Sequence, residues 1–136
     1  MSAQLETQMS PHARKFLEER TMRSILGIPE DALDAVMATA YQLYQASRYP
    51  EVEVLCRGLI AADHTYWWTY SLHAATLRRM GRLREALEQL ETGLRYEIDA
   101  PKLLLMRSEL RAEIAREEAR AQTVNDSNAA AQGSPS

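Results

Sequence analysis

Several things are scarce in this chain of 136 residues, and each scarcity excludes something. The one cysteine, Cys56, leaves no intramolecular disulfide and gives no sign of an oxidising compartment. Glycine is scarce while alanine, leucine, glutamate and arginine are plentiful, which favours helices throughout. No apolar run reaches the ~18 residues of a membrane span. The opening MSAQLETQMSPHARKF has no basic start followed by an apolar core, so no secretory signal is expected. A net charge of −3 gives little basis for a nucleic-acid or membrane-surface partner. There is no GxxxxGK[ST], GxSxG, HExxH or CxxC motif. His12, His64 and His73 fall on three different segments, so no metal and no cofactor is expected. The carboxylates sit on helix faces expected to be wet, which leaves paired acid–base catalysis without a footing. The chain is read as a non-enzyme that stays in the cytoplasm.

What is present is a pattern written twice. Between Ala40 and Tyr96 an offset of 34 residues places Ala40 on Ala74, Leu43 on Leu77, Ser47 on Gly81, Tyr49 on Leu83, Val52 on Ala86 and Cys56 on Leu90. That period belongs to the tetratricopeptide repeat, a helix hairpin that buries its apolar face by stacking on a neighbour. The fold expected is an all-α solenoid of such hairpins. Residues 1–10 are loose and a helix spans 11–26. Repeat one covers 31–64, repeat two 65–98, and a capping helix 100–122. A disordered tail of small polar residues occupies 123–136.

Local signals set the boundaries. Gly27 stops the first helix, and Pro29, Glu30 and Asp31 open the next with carboxylates at its positive end. Leu33, Val36, Ala40 and Leu43 form an inner stripe. Gly81 allows a tight turn at positive φ. Asp63 or Thr65 is a candidate cap for the helix that follows, and Asp99 precedes Pro101 as another. Cys56 is expected in the core. A third copy would turn at residue 115, inside AEIAREE, where no turn residue stands; the third unit is therefore a single helix. The helix 11–26 has no repeat partner, so Phe16, Leu17, Met22 and Ile25 either cap the stack or meet another chain.

The first helix of each hairpin lines the concave side of such a stack. On the first, Met37, Tyr41 and Tyr44 share a stripe beside the core positions; on the second, Trp68, Ser71 and Ala75 match them. Aromatic and thioether side chains on an open face suit an extended apolar peptide, because they bury much area with few torsions to freeze. Trp67 and Tyr70 are expected in the core. Arg78 and Arg79 are expected to face water.

The run Ala40-Tyr41, Leu43-Tyr44, Ser47, Tyr49, Leu55-Cys56 and Ala62-Asp63-His64 resembles the class II chaperones of bacterial type III secretion, the tetratricopeptide-repeat chaperones of the translocator proteins. SILGIPEDALDAV is similar to that family's segment ahead of its first repeat. The resemblance covers about residues 21–98. It implies a bacterial cytoplasmic chaperone, tied to virulence, whose groove takes an extended segment of a secreted translocator. It also implies a homodimer formed through the N-terminal helical region. Carried over by position, the groove residues are Met37, Tyr41, Tyr44, Trp68, Ser71 and Ala75. The chain departs from the family where the third repeat lacks its second helix, which keeps a co-chaperone of the needle subunit open as the alternative. A general adaptor that clamps a carboxylate is the third reading, disfavoured because Met37 and Tyr41 stand where such a clamp has lysine and asparagine.

Overall fold

The computed structural model describes residues 21–133. Among them six helices follow one another: α1 Met22–Leu26, α2 Glu30–Gln45, α3 Tyr49–Ala62, α4 Trp67–Arg79, α5 Leu83–Tyr96 and α6 Pro101–Gln132. The all-α hairpin solenoid expected from the repeat is the observed architecture. α2 pairs with α3 and α4 with α5; α3 packs on α4, and α6 closes the stack on α5.

The turns obey the repeat. Ser47 (φ 61°) and Gly81 (φ 77°) both take the left-handed conformation that ends a helix. In each turn the same bond closes the last helical turn: Arg48 N–H to Leu43 O and Arg82 N–H to Leu77 O, both 2.9 Å. The partner helices then start alike, with Pro50 in the first turn of α3, where a missing N–H costs nothing.

Small side chains sit where helices approach most closely: Ala40, Ala74 and Ala86 are fully buried. Ala40, Val52, Cys56 and Leu72 make one core cluster, so Cys56 is the small core residue expected of it. Ala74, Leu77, Leu83, Ala86, Leu90, Leu94, Leu103 and Leu110 belong to a second, larger one, against which Trp67 packs. Tyr70 is buried and donates its hydroxyl hydrogen to His64 O at 2.7 Å.

Several expectations need correction. Val36 is exposed, because among the described residues no hairpin packs on that flank of α2. α1 is a single short turn of helix with no buried residue; Thr21 and Ser24 cap it reciprocally and Gly27 (φ 70°) ends it. Met22 and Ile25 are exposed, while Phe16 and Leu17, with the rest of the expected helix 11–26, lie outside the described residues. Neither expected cap forms. The N-cap residues of α4 and α6 are Tyr66 and Ala100, neither of which makes a side-chain capping hydrogen bond, and Asp99 is exposed.

Asp63 serves another end. Its Oδ1 accepts from Thr65 N–H (3.0 Å) and Oγ1 (2.6 Å), and its Oδ2 accepts from Arg23 Nε at 3.0 Å, pinning α1 to the link between repeats. The tail also departs from expectation. α6 passes position 115 unbroken and continues helical to Gln132, where disorder from residue 123 was expected. Extending a helix already nucleated adds one bond per residue fixed, and Ala129, Ala130 and Ala131 are strong helix formers. Gln122 donates to Asp126 at 2.9 Å along this exposed stretch.

Candidate functional site

α2, α4 and the start of α6 enclose an open concavity of about 670 Å³. Its lining includes Met37, Tyr41, Tyr44, Trp68, Ser71 and Ala75, so the six residues selected from the repeat register come together on one surface. They contribute unequally. Tyr41 and Trp68 are 53% and 44% exposed, whereas Ser71 is buried and donates to Trp68 O at 2.7 Å, leaving it little to offer a ligand. The stripe on α2 follows from its helical period: Met37, Tyr41 and Tyr44 are three and four residues apart and stand beside buried Leu33 and Ala40.

The aromatic side chains hold one another. Tyr44 stacks on Tyr41 with ring centroids 6.4 Å apart and meets the edge of Tyr49 at 5.6 Å. Trp68 stacks on Trp67 at 3.9 Å, and Lys102 Nζ stands 5.6 Å from the centroid of the Trp68 ring. At the rim Tyr66 donates to Asp34 Oδ1 at 2.7 Å; burial, then this carboxylate, push the phenol up to about 12.

Six further lining residues were not selected from the sequence: Asp34, Ala38, Tyr66, Leu72, Lys102 and Met106. A signal for five of them existed. Asp34, Trp68 and Lys102 are separated by the same 34-residue step, as are Ala38, Leu72 and Met106. The third unit carries the register of the groove although its second helix is missing.

A second basin of about 520 Å³ shares Tyr44, Ala75 and Met106 with the first and adds Arg78, Arg79 and Glu113. Arg78, expected to meet only water, pairs with Glu113 (2.8 Å) and Glu109 (3.4 Å) on α6. Arg79 donates from Nε to the Tyr44 hydroxyl at 3.3 Å.

The carboxylates are not all on wet faces. On the opposite side of α4, Glu53 is buried and accepts from Arg57 (2.7 Å) and Arg82 (2.8 Å). His73, also buried, holds Gln89 Oε1 at 3.1 Å through Nδ1, and its Nε2 lies 3.9 Å from Glu53. Burial pushes this imidazole below its ordinary pKa; the Gln89 bond and the Glu53 charge offset only part of that. This cluster ties α3, α4 and α5 together.

Among the described residues no group of three or more His, Cys, Asp or Glu side chains is placed to hold a metal ion. None of the helices there is long and apolar enough to cross a membrane. What the concavity offers is apolar area with hydrogen-bonding groups at its rim, the chemistry of a binding surface.

No family model and no curated protein matches the sequence. Solved structures do match the fold. The type III secretion translocator chaperone SycD of Yersinia enterocolitica superposes with a TM-score of 0.68 at 20% identity, over 71% of this chain and 72% of that one. A T3SS complex from Aeromonas hydrophila contains a chain that superposes with a TM-score of 0.69 at 17% identity, over 93% of this chain and 85% of that one.

Proposed function

We propose that this chain is a cytoplasmic chaperone of a type III secretion system that masks an apolar segment of a secreted translocator subunit in its concave groove. One observation carries the reading: a fold shared with a translocator chaperone leaves its aromatic and thioether stripe open on a concave face. A subunit destined for a membrane exposes apolar surface and aggregates in water; a groove that buries a few of its anchors removes that surface and blocks premature self-contact. Tyr41 and Trp68, broad and exposed, are the anchoring surface, with Met37, Tyr44 and Ala75 as the floor. The needle-subunit alternative draws on one feature, the single helix α6 in place of a third hairpin, which suits a shorter client. Phe16, Leu17, Met22 and Ile25 form the homodimer contact in this proposal.

The test is co-purification of clients from the native host by wild type, Tyr41→Ala, Tyr44→Ala and Trp68→Ala. Loss of a secreted translocator from the variants, with circular dichroism unchanged, is the expected outcome. Undiminished capture by folded variants rules out the groove, and recovery of a needle subunit instead decides for the alternative. Light scattering with and without residues 1–27 tests the dimer contact; an unchanged mass rejects it.

A further inference from the structure

The two basins of the concave face differ in charge balance. In the second, Arg78 is neutralised by Glu109 and Glu113, whereas no carboxylate among the described residues lies within ion-pair distance of Arg79. Arg79 is nonetheless held in place. Its Nε donates to Tyr44, whose ring is packed between Tyr41 and Tyr49, and its terminal nitrogens have no partner among the described residues. An arginine fixed through one nitrogen presents the rest of its fork as a carboxylate receptor with little torsional freedom left to lose. The other cation of the concave face with no carboxylate in ion-pair distance among the described residues, Lys102, lies over the Trp68 ring in the first basin.

Resting on the groove reading above, we infer that Arg79 is a specificity residue: the segment bound in the groove carries an acidic side chain beyond its apolar anchors, and that carboxylate pairs with Arg79. The helix sets the spacing. Trp68 and Arg79 lie 11 positions apart on α4, about 16 Å along the axis. An extended segment covers that in about five residues. Such a pair selects against apolar segments that lack the acid, because seating them leaves the Arg79 fork facing a displaced hydration shell.

The test uses an array of ten-residue peptides in which two leucines and one glutamate take every spacing, each with a glutamine twin. Affinities for wild type, Arg79→Gln and Lys102→Gln are read by fluorescence anisotropy at low and high salt. The expected result is a glutamate preference of about three- to tenfold, greatest when the acid lies about five residues from the distal leucine. It disappears in Arg79→Gln, survives in Lys102→Gln, and shrinks with salt. Equal binding of twins to wild type overturns the inference while leaving the groove intact. So does a preference that persists in Arg79→Gln or is lost equally in Lys102→Gln. If no peptide binds, the groove reading falls and this inference with it.

Discussion

Ser47 and Gly81, 34 residues apart, hold the same left-handed backbone conformation at φ 61° and 77°. One of the two has a side chain for which that conformation is costly. Ser47→Gly is therefore expected to raise stability by roughly 0.5–1 kcal/mol, and Gly81→Ala to lower it by about 1 kcal/mol. Urea midpoints measured on the two variants check both signs; a destabilised Ser47→Gly contradicts the strain argument.

Gly93 on α5 has a different reason to be glycine. A Cβ there stands 2.9 Å from Tyr70 Cβ and 3.1 Å from Leu103 Cδ1, a site where three helices meet. Alanine gains ~1 kcal/mol in helix propensity, while overpacking a filled core costs ~1–3 kcal/mol. Gly93→Ala is expected to unfold at lower denaturant, and a rise in the urea midpoint shows the helices separating without cost.

Acid weakens the fold in two stages. At Asp63 burial pushes the pKa up, but the bonds from Thr65 and Arg23 outweigh it and hold the carboxyl below its ordinary 3.8. At Glu53 burial acts likewise, and Arg82, then Arg57, bring the group below 4.5. A carboxylate with a depressed folded-state pKa stabilises above its unfolded value and loses that contribution as pH falls through the folded one. His73 is depressed from 6.5, chiefly by burial, so its neutral form belongs to the folded state and its contribution is lost as pH drops below 6.5. The melting temperature should decline first between pH 6.5 and the carboxylate range, then more steeply. His73→Gln should flatten the first stage alone; an unaltered profile in that variant assigns the first stage to another group.

Cys56 on α3 is fully buried in the cluster with Ala40 of α2 and Leu72 of α4, and burial, with the Glu53 charge behind it, pushes its thiol up to about 12. A thiolate is needed for reaction. Labelling by a disulfide reagent at neutral pH should be undetectable in the native protein and follow the unfolding curve in urea. Rapid labelling without denaturant shows local opening of the first hairpin.

Beyond Glu118, which pairs with Arg84 on α5, the end of α6 makes no hydrogen bond or ion pair to another helix among the described residues. Residues 115–133 are exposed throughout, so removing 123–136 is expected to change stability by no more than about 0.5 kcal/mol while lowering the helical ellipticity. Constant total ellipticity after truncation shows that the segment is not helical in solution.

Much of the architecture was readable from one offset. A 34-residue step carrying small residues at Ala40 and Ala74 and turn positions at Ser47 and Gly81 dictates hairpins that stack, and helical period together with the repeat register assigns Tyr41, Tyr44 and Trp68 to a common face. Periodicity describes faces within an element; it says nothing of which distant side chain arrives opposite. Hence the pairing of Arg78 with Glu109 and Glu113, of Arg23 with Asp63, and the burial of Glu53 beside His73 were decided only when helices far apart in sequence came together. The closure of the groove by Lys102 and Met106 belongs to the same class. Their register was written in the chain, but the missing third hairpin hid it until α6 docked on the stack and brought Lys102 over Trp68 and Met106 to the same concavity.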